Sequence, residues 1–383
     1  MITGLRRVWE RATKSPADKG LRFDRPLVLF QSDDWGRVGV RDCEGWDQLR
    51  ASGIKLGEAP YDYYTLETAA DVDALRAVLG KHEDSVGRHP SIGMNFIMAN
   101  LDFDHCLDLG ERELSVVPLN EGLPGHWQRP GLFDAYGLGL KEGLFFAGLH
   151  GLTHFCSKSI LRELQAGGER AELVHTLWRA QTPYIHWRMA WIGYEYWDAA
   201  LKPEDRFLSL AEQRSAIRRA ADIYQTFFGA MPVSACAPGY RANADTRTAW
   251  FEAGVRVVQN GPGDRRAPYL DDAGMLHTFR TVEMEPATAA HELADLLMDV
   301  DGCFRSGIPA IVSIHSINFH SSLRDFCTPT LLLLDEFLKA LEKKWPDVLY
   351  LDDASLFRVA TEGFYLANGK KINVGVTNMA AKS

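Results

Sequence analysis

Leu27 to Gly36 reads LVLFQSDDWG, a run of apolar residues that ends on two adjacent carboxylates, Asp33 and Asp34. Four consecutive large aliphatic or aromatic side chains fit a strand covered on both faces, the pattern of a parallel sheet. Two carboxylates just beyond such a strand are costly to leave unpaired, so a positive partner is expected beside them. The bland alternative is that one caps a following helix and the other is solvated.

The same pattern recurs along the chain. Candidate strands are Leu27 to Gln31, Ile92 to Ala99, Leu144 to Leu149, Val233 to Ala237, Val255 to Gln259, Ile308 to Ile314 and Val348 to Leu351. Stretches with helical spacing lie between them: Asp71 to Gly80, Ser159 to Ala166, Ala211 to Phe228 and Leu331 to Lys343. Strand–helix alternation of this kind implies parallel strands joined by crossovers, and a distorted (β/α) barrel of about seven strands is the expected fold. A chemically capable group follows nearly every strand: Asp33 and Asp34, Asn100 and Asp102, His150 and His154, Pro238 to Arg241, Asn260, His315 and Asn318, and Asp352 with Asp353. In a barrel these positions share one mouth.

Within LHGLTHF, His150 and His154 stand four apart, which would bring both imidazoles to one side if the loop begins a helical turn. Two surface histidines would look the same, but an acidic pair at another strand end strengthens a metal reading. Two histidines and one carboxylate leave coordination positions open, as catalytic sites do. A divalent ion so held can acidify water and polarise a carbonyl, making amide or ester hydrolysis the natural reaction. The second carboxylate would act as base. His315, ending the run IPAIVSI, is the best candidate for the acid that protonates the leaving amine.

Taken in order across residues 27 to 318, these motifs resemble the polysaccharide deacetylases with the NodB-homology domain, carbohydrate esterase family four. The resemblance implies Asp33 as general base, Asp34, His150 and His154 as ligands of a divalent metal, usually zinc, and His315 as general acid. Ala237-Pro238-Gly239-Tyr240 resembles the family's proline motif, which implies that the Gly239 N–H steadies the oxyanion, with Tyr240 and Arg241 as positioning residues. Three positions depart from the pattern: Cys236 stands where an arginine orients the base, Phe155 replaces a proline, and Gln259-Asn260-Gly261 is the nearest match to a later acidic motif. Arg241 is the nearest arginine to the first of these.

The implied substrate is an acetylated sugar or polysaccharide precursor. A non-sugar amidohydrolase acting on a linear or cyclic C–N bond, and a silent carbohydrate-binding barrel, are the alternatives, since fold and motif do not separate them. Glu169 to Arg206 interrupts the barrel rhythm and carries Trp178, Tyr184, Trp187, Trp191, Tyr194, Tyr196 and Trp197. These rings are expected either to pack as core or to line a sugar site. The domain plan is an N-terminal helical extension over 1–25, a barrel over 26–362 with an aromatic insertion at about 169–206, and a peripheral tail over 363–383.

Composition narrows the partners. With 383 residues, 46% hydrophobic, the chain can bury a large core. Its 42 Lys+Arg against 51 Asp+Glu give a net charge of −9 with no basic stripe, which argues against nucleic acid. Six cysteines without a CxxC pair suggest free, mostly buried thiols. No apolar run approaches the roughly 20 residues of a membrane span, and no apolar segment of a secretory signal follows the basic residues at the start, so a cytoplasmic protein is expected.

Overall fold

All nine residues of β1 (Leu27–Trp35) are buried, as a strand covered on both faces requires. The computed structural model describes residues 20–109, 113–263 and 267–379. Around β1 run β2 (Ile92–Ile97), β3 (Phe145–Gly151), β4 (Ser234–Cys236), β5 (Val257–Asn260), β6 (Leu276–Phe279), β7 (Val282–Glu283) and β8 (Ala310–His315). They pair in parallel in the order β7-β8-β1-β2-β3-β4-β5-β6. Only Arg280 and Thr281 separate β6 from β7, so one stretch of chain pairs first with β5 and then with β8, and the Thr281 N–H donates to the Ile311 carbonyl at 2.9 Å. That stretch closes the circuit into a distorted (β/α) barrel.

The closing stretch was not among the expected strands. Its sequence, LHTFRTVE, lacks an apolar run because Thr278 and Arg280 face a polar interior. Conversely, the strand expected at Val348 to Leu351 shortens to Leu349–Tyr350, paired with Leu27 and Val28 at the base of β1.

Side chains alternate between the two faces, as strand geometry demands. Val28, Phe30, Ile92, Met94, Phe96, Val258, Ala310, Val312 and Ile314 join the core beneath the outer helices. These helices include α1 (Ala69–Leu79), α2 (Leu132–Lys141), α3 (Leu210–Phe228), α4 (Leu293–Arg305) and α5 (Cys327–Lys344). Thr68 and Ser209 start α1 and α3 with capping boxes. Inward-facing residues form three layers. Leu27, Leu29, Val257, Leu276 and Ile311 pack at the base. Gln31, Asn95, Ser234, Gln259 and Thr278 follow, joined by hydrogen bonds. Asp33, His150, Cys236, Arg280 and His315 lie at the mouth.

The stretch expected as a peripheral tail belongs to the fold. Phe364–Ala367 and Lys370–Asn373 form a hairpin, and Val376–Met379 pairs antiparallel with Gly20–Phe23. Tyr365, Ala367 and Val374 share the apolar cluster at the barrel base and plug that end. The expected N-terminal helix falls mainly on residues 1–19, outside the described residues. Among the described residues no helix is long and apolar enough to cross a membrane. The six cysteines, all among the described residues, form no disulfide, and five are buried.

Gly148 faces the interior, where a Cβ would stand 2.1 Å from Asn95 Oδ1. Gly148→Ala is therefore expected to destabilise by about 1–3 kcal/mol through overpacking. Gly137→Ala, on an open face of α2 with nothing within 4 Å, should instead stabilise by up to about 1 kcal/mol. Chemical denaturation of both variants checks the contrast; equal shifts would mean that the interior has room at Gly148.

Candidate active site

Adjacent residues on a strand point to opposite faces, yet Asp33 and Asp34 both serve the mouth. The backbone resolves this. The pairing of β1 with β2 shifts between Ser32 and Trp35, and Asp34 adopts φ 75°. A left-handed aspartate costs on the order of 1 kcal/mol and persists only where its surroundings fix it. Here the Tyr64 hydroxyl donates to the Asp34 carbonyl at 2.7 Å, and the Trp35 indole N–H donates to Ser32 Oγ at 2.8 Å.

Asp34 Oδ1 lies 3.4 Å from His150 Nε2 and 3.2 Å from His154 Nε2. The three residues can offer ligand atoms all within 4.8 Å of one another. Asp34 Oδ1 is buried without a hydrogen-bond partner; Arg37 Nη1 lies 3.5 Å away, and both histidine Nε2 atoms face the same oxygen, so it has room to accept a further cation. His150 Nδ1–H donates to the Cys236 carbonyl at 2.9 Å, which orients the ring with Nε2 toward Asp34, as a second partner does for a ligand histidine. His154 Nδ1 meets the Tyr184 hydroxyl at 2.7 Å, and that hydroxyl also accepts from Arg37 Nη1 at 3.0 Å. Burial first, and then the Arg37 charge, hold His154 well below the ordinary imidazole range despite Asp34, so it is neutral. A carboxylate and two imidazoles, each turning Nε2 toward it, fit a divalent cation with open positions.

The expected helical turn is absent between the histidines. His150 is the last residue but one of β3, and His154 follows in a loop. Convergence comes from the insertion, whose buried Glu195 accepts from the Leu152 N–H at 2.9 Å and the Thr153 N–H at 3.2 Å. Tyr184, His186 and Tyr194 ring His154 at centroid distances of 6.2, 6.0 and 5.7 Å. Of the insertion's rings, Trp178, Tyr184 and Tyr196 are buried, whereas Trp187 is exposed.

Asp33 Oδ1 accepts from Arg280 Nη2 at 2.6 Å and Asn95 Nδ2 at 2.8 Å. Its other oxygen, Oδ2, faces His315 Nε2 at 3.8 Å. Burial alone would raise the Asp33 carboxyl, but Arg280, His150 and His315 outweigh it and hold the group far below the usual carboxylate range. His315 Nδ1 meets Glu285 Oε1 at 2.6 Å, and Glu285 Oε2 accepts from the His315 N–H at 3.1 Å and from Asn318 Nδ2 at 2.6 Å. Burial opposes charge on the imidazole, yet Glu285 and then Asp33 push His315 up to about 9.

Arg241 does not take the place of the arginine absent at Cys236. It is exposed, with its guanidinium 4.8 Å from the Trp197 ring centroid. Arg280, on the closing stretch, reaches Asp33 past the small Cys236 side chain, whose Sγ lies 3.8 Å from Nη2. Arg280 Nη1 also donates to the Tyr240 hydroxyl at 3.0 Å. Gly239 has φ 59°, and a Cβ there would stand 2.3 Å from the Tyr194 ring, so the close approach of that ring requires glycine. Arg280 and Glu285 were both missed from sequence. The signal was alternation, since Leu276, Thr278 and Arg280 form one inward row.

No protein-family model and no curated protein matches the chain. Among solved structures it is similar to a probable polysaccharide deacetylase from Pseudomonas aeruginosa PAO1, at 12% identity over 87% of this chain and 90% of that one, with a TM-score of 0.45. It is also similar to Puue allantoinase, at 11% identity over 91% and 95% with a TM-score of 0.44. A family 4 carbohydrate esterase from Streptomyces lividans matches at 11% identity over 86% and 92%, with a TM-score of 0.32. Each is a likeness across most of both chains, and the chemistry is read from this chain's own side chains.

Proposed function

We propose that the chain is a metal-dependent hydrolase that removes an acetyl group from the nitrogen of an amino sugar or of a related small acylated amine. One observation carries the reading. Beside the Asp34, His150 and His154 set stand two oppositely charged groups, Asp33 Oδ2 and His315 Nε2, 3.8 Å apart and each oriented by a buried partner.

A divalent cation held by Asp34, His150 and His154, zinc being the expected one, supplies Lewis acidity to a water and to the scissile carbonyl. Asp33 accepts the proton that water gives up as it attacks the carbonyl carbon. Arg280 keeps Asp33 ionised, and Asn95 fixes its orientation. His315, charged near neutral pH, gives its proton to the nitrogen as the C–N bond breaks, releasing an amine and acetate. The Gly239 N–H is the candidate donor to the developing oxyanion, with Tyr240 steadied by Arg280 at its side. A silent barrel would follow from a missing arginine, and Arg280 supplies that charge. Hydrolysis of a non-sugar amide is the second reading, supported by ligands only 2–8% exposed, a setting suited to small molecules. Acetate release from acetylated amino sugars, measured beside cyclic imides and ureides, separates the two.

The purified protein should carry about one divalent ion per chain, and Asp34→Ala should lose it. Asp33→Asn should keep the ion while turnover falls by about 10²–10⁴-fold. Metal analysis of the three proteins decides the ligand set; equal metal in Asp34→Ala and wild type removes Asp34 from it.

Because the acid must be protonated, turnover should hold through neutrality and decline as pH rises through about 9. Glu285→Gln removes the largest charge raising His315, so the alkaline limb should move to lower pH. A pH–rate profile of that variant that superimposes on wild type would separate the limb from His315. His315→Ala should lose about 10²-fold on an amide and much less on an activated ester, whose leaving group needs no proton.

A further inference from the structure

Among the described residues the barrel mouth is roofed on one side and opens into a cavity on the other. A roof forms where the turn Pro60–Tyr63 meets the turn His186–Arg188 of the insertion. Their clasp is Asp62, fully buried, which accepts from the backbone N–H groups of Gly57, Glu58 and Ala59 at 2.9, 2.9 and 3.2 Å. The same carboxylate accepts from Trp187 Nε1 at 2.9 Å and Arg188 Nε at 3.2 Å. The roof is joined to the strand end below it, because the Tyr64 hydroxyl donates to the Asp34 carbonyl and the Val40 N–H donates to the Tyr64 carbonyl.

Tyr61 lies parallel to Tyr64, with ring centroids 6.1 Å apart. Tyr61 lines the same cavity as Glu285 and His315, and burial, then the charges of Asp34 and Glu285, push its phenol well above the ordinary value. The crevice between Tyr61 and His186, flanked by Arg37, has a volume of only about 10 Å³. That is room for no more than a water. On the opposite side a cavity of about 490 Å³ opens between Tyr61, Tyr240, Pro262, Glu283, Arg280 and His315. Its size falls within the roughly 300–1,000 Å³ of a single small-molecule site.

We propose that this site takes one acylated unit at a time, a free amino sugar or the terminal unit of a chain, and that Tyr61 is the residue that excludes units flanked on both sides. The inference rests on the acyl-hydrolase reading and names its substrate class. A unit inside a polymer needs two exits for its neighbours, and among the described residues the crevice on the Tyr61 side, at about 10 Å³, is too small to be one. The open cavity also favours a neutral substrate. Glu283 is exposed at its rim, whereas Arg280 is committed to Asp33 and unavailable to an anion. Tyr61 and Tyr240 present ring surface suited to the apolar face of a sugar.

The test is the position of deacetylation on a short N-acetylated amino-sugar oligomer, read by mass spectrometry. Wild type should free only the terminal unit, and Tyr61→Ala should extend the reaction to internal units. Trp187→Phe combined with Arg188→Gln, at the outer side of the clasp, loosens the roof without touching Tyr61 and should shift the pattern the same way. A readout independent of turnover is the visible spectrum of the cobalt-substituted protein, titrated with acetohydroxamate or with a hydroxamate carried within a soluble polysaccharide. The small molecule should perturb the spectrum at a concentration at least about tenfold lower, and Tyr61→Ala should narrow the gap. Internal deacetylation by wild type at rates within a few-fold of terminal, or equal response to the two hydroxamates, would overturn the proposal. If no acylated sugar is turned over while the hydroxamate gap persists, the hydrolase reading falls and the one-sided site stands.

Discussion

The ion pair between Arg280 and Asp33 joins the fold to the chemistry. Both side chains are at most 2% exposed, and their closest approach is 2.6 Å. Removing one partner of such a pair leaves an uncompensated buried charge, at a cost of about 3–5 kcal/mol. Arg280 sits where the closing stretch changes neighbours from β5 to β8. The arginine that completes the barrel is therefore the one that fixes the charge of the candidate base.

That pair rests on a polar interior. Asn95 bridges Asp33 to Gln259 at 2.8 and 2.7 Å, and Gln259 donates to Asp353 at 2.6 Å. Gln31 donates to the same carboxylate at 2.8 Å. Burial pushes Asp353 up to about 6, against the pull of these hydrogen bonds, so it occupies the interior with less charge than a surface aspartate carries at mildly acidic pH. A ladder of amides is a sound support for a catalytic carboxylate, because Asn95 and Gln259 have their donors and acceptors committed and few alternative arrangements, although Gln31 Oε1 is buried without a hydrogen-bond partner. Below it the interior becomes apolar, and the C-terminal hairpin seals it with Tyr365.

This layering explains what the sequence could reveal. Asp33, His150 and His315 each end a run with apolar side chains on its outer face, so strand and functional residue announce one another. Arg280 and Glu285 had no such herald. Their stretch is inward-polar at Thr278 and Arg280, and its outward face lacks an aliphatic run, so an apolarity search passes over it. Proximity in sequence favoured Arg241, yet a position five residues after Cys236 along the chain has already left the strand for the exposed loop beyond it. Arg280 comes closer from 44 residues away because a parallel barrel aligns strand ends, whatever their separation in sequence. The left-handed Asp34 was equally hidden, since no pattern of residue types distinguishes a bulge that turns two neighbouring carboxylates to one mouth.

In sequence the aromatic insertion reads as either packing or a sugar platform, and its residues divide the work differently. Glu195 binds the backbone between the two histidines, and Tyr184 holds His154 by its outer nitrogen. Trp187 and Arg188 meanwhile anchor the roof through Asp62. One excursion from the barrel thus both orients a candidate ligand and limits access to it. A change that opened the mouth by displacing the whole insertion would also release the loop carrying His154. The bonds that hold the two histidines come from Cys236, Glu195 and Tyr184 and not from Trp187, Arg188 or Tyr61, so a change at one of these last three can alter access while leaving those bonds in place.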